Sequence, residues 1–116
     1  MRPHEVAFVR DIVARFPGLG ALLEEHVRFY NEILPHVFFG EMTDYVLSLL
    51  GNDSLPRRRE LRDILNYLEQ VFAGDEQLQE LIAVSFVENL PRPDEDGARI
   101  REMIGPNLKR QLDMFG

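Results

Sequence analysis

Apolar residues recur along the chain at spacings of three and four, the period of a helix with one buried face. Val6, Val9, Val13 and Phe16, with Phe8 and Ile12 beside them, predict a first helix over 5–16, stopped by Pro17-Gly18. A second helix is expected over 19–34, with a stripe of Leu23, Val27, Tyr30 and Leu34 flanked by Leu22 and Ile33. Pro35 should force its break, because the residue before a proline is pushed out of the helical region. The third segment, 35–50, is the most aromatic: Phe38, Phe39 and Tyr45 follow Phe29 and Tyr30, and Met42, Val46, Leu49 and Leu50 continue the stripe. Gly40 interrupts it, which predicts either a short turn before the main helix or a close helix approach. Gly51-Asn52-Asp53-Ser54 is the clearest linker.

The fourth helix has the cleanest pattern, Leu61, Ile64, Leu65, Leu68, Val71 and Phe72. Pro56 suits its first turn, Ser54 is the expected cap and Gly74 its end. Asp75 should cap a fifth helix running to about Asn89, with Glu76 in the favourable first turn. Its middle, Leu81-Ile82-Ala83-Val84-Ser85-Phe86-Val87, is apolar nearly all round, as in a central helix. After the extended Leu90-Pro91-Arg92-Pro93, Asp94 should cap a short sixth helix carrying Ile100, Met103 and Ile104. Gly105-Pro106 closes that helix and opens a last one with Leu108, Leu112 and Phe115. No alternating strands joined by an Asn-Gly or Asp-Gly turn appear. The expected fold is all-α: a single helical domain over 1–116, built as a compact bundle or stacked helical hairpins of six to seven helices. A shift of 38 residues superposes the second stripe on the fourth, which suits stacked hairpins but also any two amphipathic helices.

Composition narrows the class. The chain has 116 residues, 45% hydrophobic, enough for one sizeable core. With no Cys, disulfide scaffolds and thiolate zinc sites are excluded. No apolar run approaches the roughly 18 residues of a membrane span. The start, Met1-Arg2-Pro3-His4-Glu5, lacks the positive-then-apolar order of a signal peptide. A cytoplasmic protein without membrane contact is expected. Net charge is −7, and it is unevenly placed. Between 63 and 96 lie Asp63, Glu69, Asp75, Glu76, Glu80, Glu88, Asp94, Glu95 and Asp96 against Arg92 alone. Arg57, Arg58, Arg59 and Arg62 precede that window, and Arg59 and Asp63 sit at i,i+4, where they neutralise each other. Such a balance opposes nucleic-acid binding.

A search for chemistry finds little. Ser48, Ser54 and Ser85 lie in no nucleophile elbow, and Ser48 and Ser85 fall in apolar runs where a hydroxyl bonds its own backbone. Gly18-Leu19-Gly20 lacks the later glycine of a phosphate loop. His4, His26 and His36 are not at metal-ligand spacing, and Glu25, His26, Glu32 and His36 would converge only by accident; they read as exposed or partly buried helix residues. Glu41 and Asp44 read as solvated carboxylates on the outer face of helix three, with a pocket border as the alternative. Phe29, Tyr30, Phe38, Phe39 and Tyr45 read as core. Since neighbours cannot face the same way on a helix, one of Phe38 and Phe39 is expected at the surface. Neither a metal nor a cofactor is expected.

Two stretches resemble a known family. Ile33-Leu34-Pro35-His36-Val37-Phe38-Phe39-Gly40 is one. Val84-Ser85-Phe86-Val87-Glu88-Asn89-Leu90-Pro91, followed by Gly97-Ala98-Arg99-Ile100-Arg101-Glu102-Met103-Ile104-Gly105-Pro106, is the other. They resemble a family of small, acidic, all-helical bacterial proteins of unknown function, which look similar to immunity proteins that neutralise polymorphic toxins. The resemblance spans most of the chain from Leu22 onward. Its motifs are structural punctuation, so it implies the fold and assigns no functional residue.

The expected function is a non-catalytic protein-binding module of the immunity or inhibitor kind, neutralising a basic partner through an acidic surface. The expected contacts are Asp75, Glu76, Glu80, Glu88, Asp94, Glu95 and Asp96, with Phe38 and Phe39 as a secondary interface. The alternative is a helical adaptor or regulatory module whose groove binds a peptide or helix. A small acid–base enzyme finds less support, and self-association is compatible with all three.

Overall fold

A computed structural model describes residues 3–51 and 54–115. Six α-helices follow in order: α1 Pro3–Arg15, α2 Gly18–Tyr30, α3 Pro35–Leu49, α4 Leu55–Gly74, α5 Glu76–Ile82 and α6 Pro106–Met114. A π-helical segment, Ala83–Val87, continues α5, and a 3₁₀ turn, Ala98–Glu102, precedes α6. No strand occurs among the described residues, so the fold is all-α. Asn52 and Asp53 of the expected linker lie outside the described residues.

Local chemistry sets most boundaries. Asp75 caps α5, its Oδ1 accepting the Gln77 N–H at 3.0 Å. Ser54 holds the N-cap position of α4, but it caps through its backbone, its carbonyl accepting the Arg58 N–H at 3.1 Å. Three expectations need correction. First, α2 ends at Asn31 rather than at Pro35. Asn31 takes the left-handed conformation at φ 61°, and its N–H closes the helix on the Val27 carbonyl at 2.7 Å. Second, α3 runs uninterrupted through Gly40, where an added Cβ would meet Asn89 at an ordinary 4.0 Å, so neither a turn nor a tight approach explains that glycine. Third, Asp94 caps no α-helix. The chain turns from Pro93 to Gly97 and enters the 3₁₀ turn through Gly97 at φ 82°.

The nearly all-apolar middle of the fifth helix is indeed central, but it is not regular α-helix. At Ala83 the ladder widens, and the Glu88 N–H reaches the Ala83 carbonyl, five residues back, at 2.9 Å. The Ser85 carbonyl receives the Thr43 hydroxyl at 3.2 Å and the Asn89 amide at 2.9 Å. Leu81, Ile82, Phe86 and Val87 are fully buried. The π-helical segment packs on α3 and α6, and α5 on α1, α3 and α4.

α3 is equally enclosed, touching α1, α2, α4, α5 and the π-helical segment. That overturns the expectation for Phe38 and Phe39. Both are fully buried, Phe38 edge-on to the His26 ring at 5.6 Å and Phe39 against Phe8 at 5.6 Å. They do point in different directions, but each direction holds another helix. The radius of gyration, 13.6 Å, matches the roughly 13 Å of a fully packed chain this long. No described helix is long and apolar enough to cross a membrane.

Candidate functional site

The feature with most chemistry is a groove of about 860 Å³ between α2 and α3. α2 contributes Leu22, Glu25, His26, Arg28, Phe29 and Tyr30; α3 contributes Glu41, Asp44, Tyr45 and Ser48. Three carboxylates therefore face it against one arginine.

Its floor is built on His26, which sequence reasoning placed at or near the surface and which is 2% exposed. The buried stripe of α2 is Leu19 and His26, with Leu22, Leu23 and Tyr30 half-buried beside them. Val27 falls outside that stripe, at 37% exposed. Both ring nitrogens of His26 are bonded. The Leu34 N–H donates to Nε2 at 3.0 Å, which makes that nitrogen the acceptor. Nδ1 then carries the proton and donates to Glu41 Oε1 at 2.8 Å. Leu34 is the N-cap residue of α3, so His26 also ties the end of α2 to the start of α3. Glu41 and Asp44 therefore border a pocket rather than forming a plain solvated face.

Phe29 is the residue the sequence misassigned most. Grouped with the core aromatics, it is 79% exposed, its ring edge-on to Tyr30 at 4.8 Å at the lip of the groove. Val27, two positions away, is also exposed, but it points to a different side of α2, beside Val13 and Leu23. At the far end, Tyr45 donates its hydroxyl to Glu60 Oε2 at 2.9 Å and accepts from Arg57 Nη1 at 3.1 Å. Burial, and then the hydrogen bond to Glu60, push the Tyr45 hydroxyl pKa up. Gly18 makes room for this cluster, since a Cβ there would overlap the Tyr45 hydroxyl and the Glu60 carboxylate.

A second constellation joins Ser85, His36 and Glu5. His36 Nδ1 lies 2.6 Å from Ser85 Oγ, and its Nε2 lies 3.8 Å from Glu5 Oε2. The residue types match a hydrolytic triad, but Ser85 is 5% exposed inside the π-helical segment. Ser85 is thus enclosed by core packing, while the His36 side chain remains 44% exposed. Ser48 behaves as expected, its hydroxyl bonding the Tyr45 carbonyl. Ser85 does not, because its hydroxyl pairs with His36.

The acidic window is only partly a surface. Glu76, Glu80 and Glu88 are exposed, and so is Val84 between them, giving a stripe at four-residue steps. Asp75 is committed to its cap and to His4 Nε2 at 3.0 Å. That imidazole, together with the Gln77 N–H, holds its carboxyl below the usual range against some opposing desolvation. Asp94, Glu95 and Asp96 are exposed in the turn, where Glu95 Oε1 accepts the Arg92 N–H at 2.7 Å. Among the described residues no three His, Asp or Glu converge as a metal ion would require.

A family model described as "Domain of unknown function (DUF7674)" matches residues 9–115, and the chain belongs to that family. The match begins at residue 9, ahead of Leu22, from which the resemblance spans most of the chain. No curated protein and no solved structure matches the chain.

Proposed function

We propose that this member of the DUF7674 family is a non-catalytic protein-binding module, and that its α2–α3 groove docks a basic segment of a partner protein. The observation that carries this reading is Phe29, a large aromatic ring 79% exposed beside a groove lined by Glu25, Glu41 and Asp44. An exposed aromatic at the edge of a concave surface is the usual anchor of an interface, because its burial removes much apolar area from water at small entropic cost. The carboxylates around it favour cationic neighbours. The net charge of −7 adds a long-range field that speeds encounter with a basic surface. Both an inhibitor of the immunity kind, covering a basic cleft, and an adaptor holding a basic helix would use such a face. A second contact surface is supported by the exposed stripe of Glu76, Glu80, Val84 and Glu88.

The test starts from a partner captured through a photo-cross-linker at position 29. Phe29→Ser should weaken that partner's binding about tenfold or more while the melting curve stays unchanged. Glu76→Lys, Glu80→Lys and Glu88→Lys together should slow association and flatten its salt dependence. A partner indifferent to Phe29→Ser would move the interface to the acidic stripe.

A further inference from the structure

His26 is fully buried at its side chain, yet both of its nitrogens are spent on placing one groove carboxylate. The Leu34 N–H fixes Nε2 as acceptor, which commits Nδ1–H to Glu41 Oε1 at 2.8 Å. The imidazole cannot turn, because it is also packed against Tyr30 at 4.8 Å and Phe38 at 5.6 Å. Glu41 is thereby held half-exposed at the groove wall, with Oε1 occupied. Its Oε2 takes no protein partner among the described residues. A carboxylate fixed in this way loses no side-chain freedom when it meets a cation. Tyr30 and Phe29 line the same groove, Tyr30 against the His26 ring at 4.8 Å and Phe29 edge-on to Tyr30 at 4.8 Å.

Resting on the docking role proposed above, we infer that Glu41, positioned by His26, anchors one arginine side chain of the docked segment. The guanidinium donates to Glu41 Oε2 and lies against the Phe29 and Tyr30 rings, the pairing of planar cation and aromatic face that lysine performs less well. Asp44 and Glu25 lie along the same groove. Glu41 is the contact residue and His26 a positioning residue.

The experiment titrates the ¹⁵N-labelled full chain with the capped tripeptide acetyl-Leu-Arg-Leu-amide and with its citrulline counterpart, which keeps the shape and loses the charge. The arginine peptide should produce saturable amide shifts at Phe29, Tyr30, Glu41 and Asp44, and citrulline should bind about fivefold more weakly. Glu41→Gln should abolish that gap. His26→Phe, which keeps a ring in the core but neither hydrogen bond, should also lose the gap while binding citrulline as the wild type does. If His26→Phe fails to fold, Glu41→Gln decides alone. Equal binding of both peptides in the groove, or a gap that survives Glu41→Gln, overturns the anchor and leaves the docking role standing. No saturable shift with either peptide overturns both.

Discussion

At the scale of single residues, long-range caps do work that sequence-local signals assign to neighbours. Glu69 on α4 starts α6: its Oε1 accepts the Leu108 N–H at 3.0 Å, and its Oε2 accepts the Asn107 N–H at 3.0 Å and side-chain amide at 2.7 Å. Gly105 admits it, because a Cβ there would come within 2.5 Å of the Glu69 side chain. Glu69→Ala should cost about 1–2 kcal/mol in a urea melt. Gly105→Ala should cost a similar amount by displacing the carboxylate, and the double variant should lose less than the sum. Asp75 carries a pH signature. Its folded pKa lies below the unfolded one, chiefly through His4, so its stabilisation is present above the unfolded pKa and fades as pH falls through the folded value. Asp75→Asn should therefore be less stable than the wild type at neutral pH, and the difference should shrink in melts below about pH 4. His4→Gln should reproduce part of that loss.

At the scale of elements, the π-helical segment is where a buried backbone departs from the regular ladder, and its neighbours make up the hydrogen bonding. Thr43 on α3 reaches both the Phe39 and Ser85 carbonyls, at 2.7 and 3.2 Å. Asn89 supplies a second donor to Ser85. Thr43→Val or Asn89→Ala alone leaves that carbonyl one partner and should cost about 1 kcal/mol each. Removing both strands it in the core, so the double variant should lose more than the sum in a double-mutant cycle. Simple additivity would mean that the widened turn is held by packing around Phe86 rather than by these donors.

At the scale of the whole molecule, the arginine cluster before α4 is less available than its composition suggests. Arg57 is drawn to Glu60 at 3.5 Å and to Tyr45. Against a net charge of −7, the cluster can release few counterions. The chain should show no binding to duplex DNA by fluorescence anisotropy at about 0.15 M salt. Submicromolar binding that disappears when Arg57, Arg58 and Arg59 are reversed would make nucleic acid, not a basic protein, the partner class.

The sequence by itself determined where most of the helices begin, because helix formation answers to near neighbours. The three-and-four spacing, Pro17-Gly18, the Asp75 cap and Pro106 all act within a turn or two of the boundary they set. It also put the apolar middle of the fifth helix at the centre, since a surface with no polar side must be covered. Sidedness was legible on α4, whose stripe Leu61, Ile64, Leu65, Leu68 and Phe72 is buried, but not on α2 and α3. Phe38 and Phe39 are both buried because other helices pack on two sides of α3, Phe38 meeting His26 of α2 and Phe39 meeting Phe8 of α1, while Phe29, equally apolar, faces solvent at the lip of the groove. Periodicity records one face of one helix and says nothing of how many other helices surround it. The widened turn at Ala83–Val87 receives a hydroxyl from 42 residues away. His26 gains its role only when Glu41, 15 residues on, and the Leu34 N–H are brought to its two nitrogens. Those partners are assembled by packing, and packing is what the tertiary structure alone decided.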